Sequence, residues 1–249
     1  MTIVTVTRNA AAILQQTIDS VAAQTARDRI EYLVVDGASD DGTRELIEAN
    51  ASRIDRWISE KDAGIYDAMN KGVRMARGAW IHFLNAGDVF VEASAVERAD
   101  LERRKSGIVY GDYYRIYPGG FRSCERSRPP RDIWKGMICS HQSVFAATEL
   151  LRVHPFETVY TVCADFQFLQ WAYKEGCSFT RLDFAVSEVA LERYTWRQLE
   201  HGLFQKWKAS RATLRRPGTD LVFAAKAVAL AGKQLVKKVL PLSWLKAVR

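Results

Sequence analysis

The segments Ile3–Thr7 (IVTVT) and Tyr32–Val35 (YLVV) are the strongest constraint on this chain. The first is β-branched throughout and the second is a continuous apolar run. The second fits a parallel sheet covered on both sides. Between them, Ile13, Leu14, Ile18, Val21 and Ala22 fall at helical spacing over Ala10 to Gln24. Further along, helices are expected over Thr43–Asn50 and Asp67–Ala76. Arg77-Gly78 closes the second of these in a C-cap pattern, and strands are expected over Ile54–Ile58 and Ala79–Leu84. This β-α-β-α order predicts an α/β fold with a Rossmann-like, doubly wound, mostly parallel sheet. Ligands bind such sheets at the carboxyl ends of their strands. A chain of 249 residues, 48% of them hydrophobic, can bury the core that this needs.

Acids stand where those strands end. Asp36 follows YLVV, with Asp40 and Asp41 in the turn behind it, and Asp88 follows IHFLNAG. Any one of them reads as an ordinary turn former. Together they would line one edge of a parallel sheet.

Other expectations are simpler. Cys124, Cys139, Cys163 and Cys177 are far apart and form no C-x-x-C pair, so zinc is not expected and reduced thiols are. No apolar run reaches membrane-spanning length, and MTIVTVTRNA enters a strand without the pattern of a secretory leader, which predicts a cytoplasmic chain. In the second half, helices are expected near 93–104, over Phe166–Lys174, Thr195–Arg215 and Leu221–Leu240. Strand material is expected over Ile108–Tyr117, and a basic surface loop over Cys124–Lys135.

Six motifs in series then carry a resemblance: VTVTRN, VVDGASDDGT, SEKDAGIYDAMNKG, ARGAWIHFLNAGD, ICSHQSVF and CADFQFLQWAYKEG. In this order and at these distances they resemble family 2 glycosyltransferases of the GT-A fold, in particular bacterial members that build surface polysaccharides, over about residues 1 to 190. The resemblance implies an inverting transfer from a nucleotide-sugar, UDP-linked by expectation, to a glycan or lipid-linked glycan. It places Thr5, Thr7, Asn9, Asp36, Asp62, Asn70 and Lys71 around the nucleotide. The family's acidic metal motif reads Asn85-Ala86-Gly87-Asp88 here, so only the last acid remains. Asp88 is then the expected holder of Mn2+ or Mg2+, with Asn85, Ala86 and Gly87 beside the donor phosphates. One carboxylate plus phosphates and water can satisfy such an ion. Asp165, in CADFQF, matches the general base, and also reads as an N-cap of the following helix. Asp112, in a Gly-Asp turn, and His141 and Gln142 are expected on the acceptor or diphosphate side. His82 and His154 are read as structural.

The last part of the chain lies outside the resemblance. From His201 onward there are eleven Lys or Arg against one acid, which leaves 25 basic and 28 acidic groups in the first 200 residues. On a helical projection Lys226, Lys233 and Lys237 fall within roughly 40° of one another. Val222, Ala225, Val228, Leu235, Val236 and Val239 take the other side, and Trp244 and Leu245 follow Pro241. This fits a basic amphipathic helix on an anionic membrane surface, or a helix packed on the body with solvated lysines. Nucleic acid is not an expected partner, since no binding motif is present. The expected organisation is a catalytic domain over 1–195, with a nucleotide-sugar half over about 1–115 and an acceptor half over about 116–195. A basic helical extension over 196–249 would hold the protein peripherally on the inner face of the membrane. A non-catalytic nucleotide-sugar-binding or scaffold subunit is the alternative that the shortened acid motif leaves open. A nucleotidyltransferase is disfavoured because VTRNAAAILQQ is not a Gly- and Arg-rich phosphate loop.

Overall fold

The computed structural model describes residues 1–104, 107–190 and 196–239. Strand β1 (Thr2–Thr7), helix α1 (Ala11–Ala22), β2 (Glu31–Asp36), α2 (Thr43–Ala49), β3 (Arg56–Ser59), α3 (Ile65–Met75) and β4 (Trp80–Phe83) form a parallel unit, with strands in the order β3-β2-β1-β4. The β-branched run of β1 and the apolar run of β2 are both covered on two faces. Ile3, Tyr32 and Val34 pack against α1 and α2 on one face, through Leu14, Ile18 and Ile47. Val4, Val6, Leu33 and Val35 pack on the other, with Met69 and Val73 of α3. Both faces of the sheet are covered at β1, so none of its residues is left for water.

The sheet then continues as a mixed half. Beyond β4 come β8 (Val144–Ala147), β6 (Ile108–Ile116), β9 (Phe179–Ala190) and β5 (Val89–Phe90), and β7 (Arg122–Glu125) hangs on β6. β8 runs antiparallel to both neighbours, whereas β6 and β9 are parallel. Short helices α4 (Ala95–Arg98) and α5 (Thr148–Val153) and the longer α6 (Ala164–Lys174) cover this half. The helix expected over 93–104 is only α4 and a following 3-10 turn. The expected loop over 124–135 contains the end of β7 and a 3-10 segment that buries Ile133 completely.

Two helices follow, α7 (Trp196–Thr213) and α8 (Thr219–Val239). α7 is tied to the body: Gln205 accepts from the Val162 amide at 3.1 Å, Gln170 donates to Ser210 at 2.8 Å, and Ala209 joins the core. Lys226 is an exposed residue whose ammonium is nonetheless engaged. Its ammonium donates to the Lys135 carbonyl at the end of the 3-10 segment. The side chains from Lys233 on, including Lys237, and the segment with Pro241, Trp244 and Leu245 lie outside the described residues.

Gly78 does not cap α3 in the left-handed form expected. The helix gives way to extended backbone at Ala76, with ψ 135°. Gly78 is required by close approach instead, since a Cβ there would lie 2.5 Å from the Thr2 amide nitrogen.

His82 is fully buried between Phe90 and Phe145, with ring centroids 5.1 and 4.6 Å away. Its Nδ1 lies 2.9 Å from the Val144 carbonyl and Nε2 has no partner. Burial pushes its pKa from 6.5 down to about 3. The unfolded imidazole takes up a proton near pH 6.5 and the folded one only near pH 3, so acid favours unfolding across that window. The cost is ~1.4 kcal/mol per pH unit. Urea midpoints are expected to fall between pH 7 and 5 in the wild type by an amount worth ~2 kcal/mol. In His82→Phe that fall should be largely gone; an equal fall in both proteins would exclude His82 as its source.

Candidate active site

Parallel register sets the first part of the site. Thr7 pairs with Asp36, and Asp36 with Ser59, so the ends of β1, β2 and β3 stand side by side. Asp36 is fully buried. Its Oδ2 accepts from the Ser39 amide at 3.1 Å and the Ser59 hydroxyl at 2.6 Å, and its Oδ1 accepts from the Ser39 hydroxyl. It therefore shapes the loop after β2. Asn9, with φ 50°, donates its amide to Ser39 Oγ at 2.8 Å and accepts from the Asp40 amide at 3.1 Å, which locks the β1 loop to the β2 loop. The Thr7 hydroxyl is buried without a partner at this edge. Asp62 closes on the Gly64 amide at 3.0 Å and lies across Gly37, where a Cβ would come within 2.6 Å of its Oδ2. Thr7, Asn9, Asp36 and Asp62 are thus brought together.

Three other residues assigned to the nucleotide are engaged within the scaffold. Thr5 lies inside the sheet, donating to the Leu84 carbonyl at 2.8 Å beside the Tyr32 hydroxyl. The Asn70 side chain makes both a donor and an acceptor bond to the backbone of Phe156, at 2.9 and 3.0 Å. The Lys71 ammonium donates to the Lys61 carbonyl at 2.7 Å and pairs with Glu60 at 3.0 Å, so it braces the loop before α3.

After β4 the chain turns at Asn85–Asp88. The Asp88 amide donates to the Asn85 carbonyl at 3.0 Å, and Gly87 takes φ +95°, a left-handed geometry that favours glycine. Thr17 of α1 clamps the turn. Its hydroxyl accepts from the Gly87 amide at 2.9 Å and donates to the Asp88 carbonyl at 2.8 Å. Asp88 is 5% exposed. Its carboxylate accepts from Gln142 Nε2 at 2.9 Å and from the Ala190 amide at 3.2 Å.

The neighbour of Gln142 reaches a second acid. His141 Nδ1 lies 3.2 Å from Asp165 Oδ2, and its Nε2 is 3.0 Å from Asn85 Nδ2. His141 Nδ1 is placed to donate to Asp165, while its Nε2 faces the Asn85 side-chain amide. The Tyr66 hydroxyl donates to the other oxygen, Asp165 Oδ1, at 2.7 Å. One 3-10 turn, His141–Ser143, thus connects Asp88 and Asp165 through adjacent side chains. Asp165 is not the N-cap of its helix. α6 starts one residue earlier, with Cys163 at the cap, and Asp165 sits in the first turn. Burial raises its pKa, but the hydrogen bond and charge of His141, the hydrogen bond from Tyr66 and the charge of Lys206 outweigh this and hold it below the usual carboxylate value. Tyr66 is shifted far upward, first by burial and then by Asp165, so it stays a donor.

Asp112 stands apart. It lies within β6 at a register shift against β9, not in a turn. Arg181 grips both its oxygens, at 2.8 and 3.2 Å, and the Ser127 amide donates at 2.8 Å. Tyr66, Thr17 and Ser59 were not foreseen. Thr17 had a signal, being a polar residue on the buried stripe of α1.

The Asn85–Asp88 turn offers oxygen donors to a divalent cation. Among the described residues no three His, Cys, Asp or Glu gather to hold a metal. The turn does present the Asp88 carboxylate and the buried, unpartnered Oδ1 of Asn85. Both are the oxygen donors that a hard cation prefers.

A parallel βα half with loops and acids at its strand ends, joined to a mixed half that brings in a second carboxylate, is the GT-A arrangement of glycosyltransferases. The sequence profile of Glycosyl transferase family 2 matches residues 2–156, and the chain belongs to that family. A PGL/p-HBAD biosynthesis glycosyltransferase of Mycobacterium tuberculosis is 37% identical over 169 residues, and the match spans 65% of either chain. Glycosyltransferase AglE of Haloferax volcanii is 25% identical over 229 residues, covering 84% of this chain and 74% of its own. Among solved structures, S. aureus TarS 1–349 in complex with UDP-GlcNAc superposes with a TM-score of 0.64 at 15% identity, over 86% of this chain and 71% of that one. The mannosyltransferase PcManGT from Pyrobaculum calidifontis, in complex with GDP-Man and Mn2+, gives 0.68 at 18% identity, over 99% and 77%. At these identities the likeness shows the fold.

Proposed function

We propose that this chain moves a sugar, with inversion, from a nucleotide-sugar to a glycan or lipid-linked glycan acceptor in cell-surface polysaccharide or glycolipid assembly. The observation that carries the reading is the pair of carboxylates bridged by His141-Gln142: Asp88 on the donor side and Asp165 on the acceptor side. Asp165 removes the proton of the acceptor hydroxyl as that oxygen attacks the anomeric carbon, and the nucleoside diphosphate leaves from the opposite face. His141 and Tyr66 hold the base ionised and oriented. Thr7, Asn9, Asp36 and Asp62 shape the nucleoside pocket, while Thr5, Asn70 and Lys71 support it from behind. Ala86 and Gly87 give the diphosphate close access to the backbone. Mn2+ or Mg2+, held by Asp88 and Asn85 Oδ1, would neutralise the diphosphate charge. UDP is the expected nucleotide, as in the ligand of TarS, with GDP the competitor seen with PcManGT. Retention of Asp165 with two partners argues against the scaffold alternative. Asp112, paired with Arg181, serves the acceptor half by holding β6 to β9.

No helix among the described residues is long and apolar enough to cross a membrane. Helices α7 and α8 nonetheless leave an apolar groove of about 510 Å³ between them, lined by Leu203, Phe204, Trp207, Phe223, Ala227 and Leu230. Leu221 and Val228 of α8 are 75% and 73% exposed. Apolar surface with eleven basic residues from His201 onward complements an anionic bilayer, which supports peripheral attachment at the cytoplasmic face through the 196–249 extension.

The test is release of nucleoside diphosphate from UDP-, GDP- and dTDP-sugars with Mn2+ or Mg2+, alongside sedimentation with anionic and neutral vesicles. One donor should turn over, and the protein should pellet with anionic vesicles only. No turnover of any donor would remove the enzyme reading, and equal partition to neutral vesicles or to none would remove the electrostatic attachment.

A further inference from the structure

The start of α3 binds the donor-side loop and the base into one unit. The loop 60–64 is fixed to the helix by the Ala63 amide donating to Asp67 at 3.0 Å and by Lys71 under Lys61 and Glu60. Its Asp62 lies against the end of β2. Tyr66 is the first long side chain of that helix to turn inward. It is 7% exposed, and its ring packs on Phe156 at 5.6 Å. Its hydroxyl crosses to α6 and ends on Asp165 Oδ1. An aromatic in this place needs no hydroxyl for packing, and a buried hydroxyl is retained where it has a partner.

We propose that Tyr66 is a positioning residue for Asp165: with His141 it fixes both oxygens of the base, and it ties that orientation to the donor loop from which α3 springs. The inference rests on the glycosyltransferase reading with Asp165 as base. A carboxylate oxygen has more than one acceptor site, so the two bonds fix the carboxylate plane and leave an edge for the acceptor hydroxyl. Without the phenol the group can turn about its Cβ–Cγ bond, and a badly aimed base costs rate and not affinity.

Tyr66→Phe is the test, since the ring and its contact with Phe156 remain. The expected result is a fall in kcat of about 10- to 100-fold, the loss of one hydrogen bond to a charged group, with KM for donor and acceptor unchanged and the protein still folded at the assay temperature. The acid limb of the kcat profile should also move to higher pH, because Asp165 loses a donor. The other groups facing Asp165 remain in the variant: His141 before β8, Lys206 of α7, and Cys139 and Cys163, which burial keeps as thiols. Wild-type kcat in Tyr66→Phe, or a fall with an unmoved acid limb and a raised donor KM, overturns the positioning role while leaving the enzyme reading standing. A wild-type protein that turns over no donor overturns the enzyme reading, and the positioning role with it.

Discussion

Asp165→Asn is expected to lower kcat by about 10²–10⁴-fold, the usual worth of a general base, while donor binding and melting temperature hold near wild type. The argument is one of placement and charge. Asp165 is addressed by two donors from different elements, Tyr66 from α3 and His141 from the turn before β8. Those bonds keep it ionised although it is largely enclosed. An amide has nearly the same shape and still accepts from Tyr66, so the fold survives, but it cannot take a proton from an acceptor hydroxyl near neutral pH. The expected kinetic signature is a loss in kcat and kcat/KM together, with donor affinity by calorimetry unchanged. Turnover at the wild-type rate would remove Asp165 from the mechanism.

The parallel half of the fold was legible because its inner strands are covered on both faces, which favours a β-branched run at 3–7 and an apolar run at 32–35. β9 was not. Its sequence FTRLDFAVSEVA intersperses charges with apolar residues, and only Leu182, Val186 and Ser187 of it are deeply buried. A strand half in water carries no unbroken run to announce it. The site divides in the same way. Asp88, His141, Gln142 and Asp165, which the structure brings into contact, could be singled out through motifs, because turns and helix starts hold polar residues that the core does not need. Asn70 and Lys71 sit in a motif too, but their partners, Phe156 and the loop 60–61, come from tertiary contacts that no spacing reveals. Tyr66 escaped notice because an aromatic at a helical core position reads as packing. Its hydroxyl gains a meaning only when α6 arrives from 99 residues away.

The Asn85–Asp88 turn bears most directly on the central claim, that this chain binds a nucleotide-sugar through its diphosphate and a cation. Asp88→Asn is the variant of choice. Alanine would strip the Gln142 amide and the Ala190 amide of their acceptor, whereas asparagine keeps the shape and one acceptor oxygen while removing the charge. Titration of the donor found in the turnover screen into wild type and Asp88→Asn, with Mn2+ and with chelator, is the decisive measurement. The account predicts that wild type binds the donor tightly only with Mn2+. It predicts that the variant loses affinity by about 100-fold or more in the presence of the cation, at or beyond what disturbing even the outer shell of a metal site costs. Equal affinity in both proteins, with Mn2+ or without it, would contradict the assignment of Asp88 and the donor site built around it.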